Sequence, residues 1–448
     1  MLSSPQKLAK MKLRHLAVML VMVPMGIHAQ EFSKSKLDRY FDVLTETDKF
    51  MGSMAISKKG EIIYSRSVGY MDLKDSIEAN DQSRYRIGSI SKTFTAVLTL
   101  KAVEEGKLDL DETIDTYFPR IQNAEKISIR QLLTHRSGIH SFTENTDYLS
   151  WSRKPKTQRQ MMKIIKKGGS DFEPDTKAVY SNTNFVLLTY ILESIFDRSY
   201  ADLIDQYIAQ PLGLEGTYLG RPIDPDDNEA RSYTYKEDWQ LSPETAISVP
   251  MGAGGVVSTA TELVKFSDAL FTGDLLEPAS LEKMKTLKDR YGMGLFQYPF
   301  YERSSYGHTG GIDGFSSMFG YFYNGDVSFS ILSNGINYDI NGIAIAMLSA
   351  VFNKPFEPPT FTTYEIDPDD LDQYTGVYAC PEFPLKITIS KVDDHLTGQA
   401  TGQPSFPISP IDLHTFTFDR AGIKMIFDPE KGKMNFSQMG RKFDFLRE

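Results

Sequence analysis

One cysteine, Cys380, is all that the 448 residues contain. An internal disulfide is excluded, so stability must come from core burial. Cys380 sits among short strand-like segments without a catalytic signature around it, which reads as packing. Histidine is scarce as well: seven in all, of which His135, His140, His308, His395 and His414 lie beyond residue 29. None forms His-x-x-x-His, and a lone cysteine adds no ligand set, so no metal site is expected and no cofactor is called for. Beyond the first 29 residues no stretch is long and apolar enough to cross a membrane. Internal repeats and low-complexity tracts are missing too. Basic residues are in deficit, 49 Lys and Arg against 59 Asp and Glu. Such a balance disfavours nucleic acid and anionic membrane surfaces as partners.

What is present begins with a leader. Lys7, Lys10, Lys12 and Arg14 precede an apolar run, Leu16 to Val23, that ends near Pro24, Gly26 and Ala29. A basic start, a short apolar stretch and a small residue at its end form a secretory signal over 1–29, with Met11 a possible alternative start. The run is too short for a stable anchor, and no cysteine follows it for lipidation. An exported protein, periplasmic or secreted, is expected, without a membrane anchor after cleavage. Removing four basic and no acidic residues takes the formal charge from −10 to −14.

The remaining chain falls into two pattern regimes. Phe32 to Phe50 has helical periodicity, with Leu37, Tyr40, Phe41, Val43 and Leu44 on one face. Gly52–Ser57 and Ile62–Val68 form a hairpin around Lys58-Lys59-Gly60. Ser91–Glu105 and Thr183–Phe196 are apolar helices. Tyr306–Asn334 reads as consecutive strands, with the Asn324-Gly325 turn between two of them, and Asn341–Phe352 is again helical. Strands at both ends of the first 350 residues predict one shared antiparallel sheet with flanking helices and a helical insert, an α+β arrangement over 30–354. Residues 355–363, rich in proline, make a stiff linker. From 364 to 448 seven short strands separated by turns predict a small all-β barrel or sandwich: Gly376–Ala379, Leu385–Ser390, Leu396–Ala400, Phe416–Asp419, Lys424–Phe427, Met434–Gln438 and Lys442–Leu446.

Three motifs carry chemistry. Gly88-Ser89-Ile90-Ser91-Lys92 opens an otherwise apolar helix. A serine hydroxyl is a weak nucleophile that needs a base within reach and donors for the oxyanion. A lysine three residues on shares its helix face, and burial lowers an amine's pKa until it can take the serine proton. The helix start adds free N–H groups and the positive end of the dipole. On this context alone an N-cap serine with a snorkelling lysine explains the pair equally well. Ser33/Lys36 and Ser280/Lys283 repeat the spacing in polar helices and read as surface pairs. Tyr180-Ser181-Asn182 precedes the second apolar helix; a phenol can relay protons, and an amide can hold a carbonyl or the lysine. His308-Thr309-Gly310-Gly311 begins a strand whose glycines admit a substrate backbone. Each of these two is, alone, also a helix cap or a turn.

In the order Ser-x-x-Lys, Tyr-x-Asn, His-Thr-Gly, the chain resembles the serine beta-lactamase-related family, of the class C beta-lactamase, D-aminopeptidase and esterase type. The resemblance covers roughly residues 35–352. It includes Gly106-Lys107-Leu108-Asp109-Leu110-Asp111, Leu132-Leu133-Thr134-His135-Arg136-Ser137-Gly138, Pro211-Leu212-Gly213-Leu214 and Ala253-Gly254-Gly255-Val256-Val257-Ser258-Thr259. The tail, with Tyr374-Thr375-Gly376-Val377-Tyr378, is similar to the small lipocalin-like barrel often fused behind such domains.

The resemblance implies that Ser89 is acylated, with Lys92 and Tyr180 as base or proton shuttle. Asn182, His308, Thr309, Gly310 and Gly311 would bind substrate, and the N–H groups of Ser89 and Gly311 would form the oxyanion hole. It also implies that His135 is a structural loop residue. His308 stands where beta-lactamases and penicillin-binding proteins have the lysine of Lys-Thr-Gly. A histidine is mostly neutral above about pH 6.5, so it attracts a substrate carboxylate less than lysine does. No Ser-Asp-Asn triplet occupies the middle position, so the class A layout does not apply. The expected activity is a metal-free serine hydrolase cleaving an ester, amide or peptide, with D-amino-acid peptides or peptidoglycan fragments as candidate substrates. A beta-lactamase or D-Ala-D-Ala carboxypeptidase proper, or a weakly catalytic penicillin-binding module, is the competing expectation.

Overall fold

A computed structural model describes residues 32–438 and 441–448. The expected export signal lies outside the described residues. The first helix is shorter than its periodicity suggests. It spans Lys34–Glu46, because Phe50 already pairs with Ile336 in the sheet.

The six main strands are β1 (Phe50–Lys58), β2 (Glu61–Val68), β3 (Phe296–Phe300), β4 (Arg303–Ile312), β5 (Phe315–Phe322) and β6 (Val327–Ile336). They run in the order β3-β4-β5-β6-β1-β2, each antiparallel to its neighbour. A short ribbon, Tyr233–Tyr235 with Trp239–Leu241, joins off this path. The hairpin near the chain start therefore docks onto the last strands before the linker, as the α+β expectation required.

Residue alternation sorts the two faces. Met54, Ile56, Phe329 and Ile331 pack under Lys34–Glu46 and Ile340–Val351. Ala55, Phe319 and Leu332 face a larger core beneath the helical insert. Helix Ala260–Thr272 covers that second face, over β1, β5 and β6. With both faces covered, β1 and β6 are buried along almost their whole length, their serines included.

Helix Ser91–Glu104 enters the larger core almost end to end, with eleven residues buried on all sides. It lies against Asn182–Phe196 and the turn at Met251–Ala253. Phe94 stacks on Phe266 at 3.9 Å. This burial is what takes Lys92 out of water.

Beyond the linker the chain closes an eight-stranded antiparallel barrel. Seven strands fall near their expected positions. The eighth, Phe406–Asp412, was not expected, because Pro407 and Pro410 read as strand breakers. It carries a register irregularity between Pro410 and Asp412. Tyr374, Tyr378, Phe416, Met425, Phe427, Met434, Phe436 and Phe445 fill the interior, none more than 4% exposed. Cys380 belongs to this packing. The barrel meets the first domain through Lys49 Nζ to Asp419 Oδ2 at 2.9 Å, and Gly422 rests on Asp339.

Candidate active site

Ser89 sits in a single 3-10 turn, Gly88–Ile90, that runs directly into helix Ser91–Glu104. Gly88 has φ +50°, and a Cβ there would lie 2.7 Å from the Gly311 nitrogen. Glycine is therefore required on both conformational and steric grounds. Gly310 is as constrained: a Cβ would come within 2.0 Å of the Ile87 carbonyl oxygen. These two glycines let β4 run against the backbone of the serine turn. Ser91 fixes that turn from below. Its hydroxyl donates to the Gly88 carbonyl at 2.7 Å and accepts from the Val256 N–H at 2.9 Å.

Lys92 is wholly buried. Its Nζ lies 3.0 Å from Ser89 Oγ, 2.8 Å from Asn182 Oδ1 and 2.6 Å from the Ala253 carbonyl oxygen. Burial alone pushes its pKa well below the ordinary lysine value. The Asn182 amide is held by the loop before it: its Nδ2 donates to Thr143 Oγ1, and its backbone N–H donates to Ser141 Oγ. Tyr180 lies over the lysine, with Nζ 4.8 Å from the ring centre. Burial raises the Tyr180 pKa above the usual phenol value, and the neighbouring Ser89 hydroxyl offsets this only in part.

His135 lies directly beneath Tyr180, the two rings 4.4 Å apart. It adopts φ +57°, is 2% exposed, and its Nδ1 accepts the Ser181 N–H at 3.1 Å. That acceptor role leaves its proton on Nε2. His135 lies in a turn, as the resemblance implies, and its ring forms the floor of the tyrosine. Ser141, Thr143, Ser91 and the Ala253 carbonyl were not anticipated. Hydroxyls are common in loops and a carbonyl has no sequence signal, so only the fold identifies them.

His308 packs against Phe296 at 4.6 Å, and its Nδ1–H donates to the Thr309 carbonyl. It is 2% exposed. Burial and the nearby Lys92 hold its pKa at about 3, so the ring is neutral at any physiological pH. Of the other Ser-x-x-Lys pairs, Lys36 is paired with Glu357 and Lys283 is exposed, but Ser280 is buried rather than at the surface.

A cleft of about 440 Å³ opens above the serine. Ser89, Asn182 and Gly311 line it, whereas Lys92, Tyr180, His308, Thr309 and Gly310 do not. Phe142, Tyr148, Leu149, Arg153, Ser242, Thr245 and Asp313 also line it. Buried Arg86 ties part of this lining together through Thr245 O, Asp313 Oδ2 and Glu244 Oε2, each at 3.0 Å. No residue of the barrel lines the cleft.

An antiparallel sheet with a helical insert, and a serine and buried lysine sharing a helix head beside β4, define the serine hydrolase class. The chain belongs to the Beta-lactamase family, whose model matches residues 37–350. It is a serine hydrolase. It is 28% identical to penicillin-binding protein 4* of Bacillus subtilis (strain 168), across 73% of this chain and 78% of that relative. With the teichoic acid D-alanine hydrolase of Staphylococcus aureus it shares 26% over 62% of this chain and 69% of the other. The D-amino acid amidase of Ochrobactrum anthropi SV3, solved with L-phenylalanine amide, superposes with a TM-score of 0.65. It has 26% identity and covers 71% of this chain and 98% of that one. An octameric penicillin-binding protein homologue from Pyrococcus abyssi shares the fold over 92% of this chain and 99% of its own, with a TM-score of 0.66 and 23% identity.

Proposed function

We propose that the protein cleaves D-amino-acyl esters or amides through an acyl-Ser89 intermediate, with Lys92 as the base. The hydrogen-bond inventory around Lys92 carries this reading. A neutral amine has two N–H donors and one lone pair. Asn182 Oδ1 and the Ala253 carbonyl are acceptors only, and they take both donors. The lone pair is left for the Ser89 hydroxyl at 3.0 Å.

Ser89 Oγ attacks the acyl carbonyl while its proton passes to Lys92. The N–H groups of Ser89 and Gly311 receive the oxyanion. Tyr180 stays protonated and relays the proton from Lys92 to the departing alcohol or amine. Its raised pKa argues against a tyrosinate base. Water then attacks the acyl-enzyme by the same proton path reversed, releasing the acid and free Ser89. The names of the staphylococcal relative and of the amidase support the D-amino-acyl class. Neutral, buried His308 offers no cation to a beta-lactam carboxylate, which argues against beta-lactamase or carboxypeptidase chemistry. We also infer export, from residues 1–29, and a division into a hydrolase domain at 30–354 and a barrel domain at 364–448.

The test is a panel of p-nitrophenyl esters, D-Ala p-nitroanilide and nitrocefin, run beside a fluorophosphonate probe. Turnover of D-alanyl substrates is expected, with nitrocefin untouched. Ser89→Ala should lower kcat by about 10⁴-fold or more and abolish labelling. Equal labelling of both proteins would sink the nucleophile assignment.

A further inference from the structure

The chain is acidic overall, yet residues 152–168 hold seven Lys or Arg and no Asp or Glu. The segment contains helix Gln158–Gly168, which begins with a Thr157 capping box. Met161 and Ile165 are buried on one face. Arg159, Lys163, Lys166 and Lys167, at spacings of three, four, seven and eight, occupy the opposite face and are all exposed. Like charges at these spacings repel and destabilise a helix, so the ridge carries a standing cost. Two acidic residues in the adjoining loops are already engaged: Asp147 accepts from Trp151 Nε1, and Asp171 is paired with His140.

Arg153, five residues before the helix, lines the cleft. Only two charged side chains line the cleft, Arg153 and Asp313. The Asp313 side chain is 4% exposed and held by Arg86 and Thr245. Exposed Arg153 forms no ion pair among the described residues, so it is the cleft's one uncommitted charge. The helix keeps its apolar face in the core, so it has nothing to insert into a lipid surface. Among the ester and amide substrates proposed above, a chain reaching from an amide at Ser89 past Arg153 to the helix is a peptide.

We propose that Arg153 and the basic face of Gln158–Gly168 dock an acidic peptide substrate, with Arg153 taking the carboxylate nearest the scissile bond. This rests on the reading of Ser89 as the acyl nucleophile and supplies a substrate class for it. The cation that His308 does not provide at the strand is provided instead at the rim.

The test measures inhibition of neutral p-nitrophenyl ester turnover by oligo-D-glutamate and by oligo-D-glutamine of equal length. The acidic peptide should inhibit about tenfold better at low salt, and the advantage should fade at high salt. Arg153→Ala should remove most of that ratio, Arg153→Lys should keep most of it, and the triple change Lys163→Ala, Lys166→Ala, Lys167→Ala should reduce it. Equal inhibition by the two peptides, or a ratio indifferent to Arg153, overturns the proposal. Inorganic polyphosphate matching oligo-D-glutamate would overturn the peptide assignment. Calorimetry of oligo-D-glutamate on Ser89→Ala separates the two readings. Binding there without ester turnover in the wild type would count against the catalytic reading alone. Turnover without charge preference would count against the docking proposal alone.

Discussion

At the residue scale the proposed chemistry depends on an amine whose pKa burial lowers. The lowered Lys92 pKa gives activity a definite pH signature. The base is competent only when deprotonated, so kcat/KM should rise with pH through a single inflection below the ordinary lysine range. No histidine limb should accompany it, because His308 is held at about 3 and His135 well below its usual value. A pH–rate profile checks this; an inflection near 6.5 that vanishes in a His308 variant would refute it. The same shift affects stability. Between the lowered folded pKa and the ordinary unfolded value of about 10.4, the unfolded chain binds the extra proton. Lys92 therefore destabilises the fold at neutral pH, and the penalty shrinks as pH rises. His135 gives a second expectation. Removing its ring leaves a void under Tyr180 and the Ser181 N–H without its acceptor. His135→Ala should cost about 2–4 kcal/mol in denaturant unfolding and lower kcat more than it raises KM. The pairing of Ser89 with Lys92 was legible from the order of the three motifs, since on context alone the pair reads equally well as a helix cap. His135 was not, since its contact with Tyr180 spans 45 positions and depends on a left-handed backbone no motif announces.

Elements explain why that chemistry has a fixed geometry. The serine turn is clamped from three directions: by β4 through Gly310 and Gly311, by Ser91 from within, and by Ser317, whose hydroxyl donates to the Ile87 carbonyl at 2.8 Å. Gly310→Ala would place a methyl 2.0 Å from that carbonyl and 2.3 Å from Ser317 Oγ. Backbone cannot yield as a side-chain tip would, so β4 has to move away from Ser89. We expect a stability loss of about 2–4 kcal/mol and at least about a tenfold fall in acylation rate, read by thermal melts and probe labelling. Gly106→Ala is the control: it lies at φ +67° with open space around its Cβ position, and should cost little beyond about 1 kcal/mol of backbone strain. The two apolar helices were legible because most of their residues are covered on every side, whereas helix Ala260–Thr272 was not anticipated. Phe406–Asp412 was not, because its prolines mask a strand that tolerates missing donors at a barrel irregularity.

For the whole molecule the question is what the barrel contributes. Its core is occupied by aromatic and methionine side chains, so it has the construction of a packed domain and not of a hollow carrier. It supplies no wall of the cleft, which is built entirely from residues 89–313. Its attachment is local: Lys49 to Asp419 and Gly422 on Asp339, with Phe361 just before it against Tyr338 at 5.7 Å. Removing residues 364–448 should therefore leave ester turnover within about threefold while exposing the surface around Tyr338 and Phe361. The cost should appear as a lower melting temperature and a tendency to associate. Lys49→Ala tests the joint without truncation. The pair is partly buried, at 18% and 27% side-chain exposure, so its loss should cost about 1 kcal/mol, or roughly 2 °C in a domain of this size. If truncation instead abolished turnover while labelling of Ser89 and the circular dichroism spectrum persisted, the barrel would be shaping the path to the cleft. The distribution of cleft-lining residues argues for the first outcome, since every described residue that lines the cleft precedes residue 355.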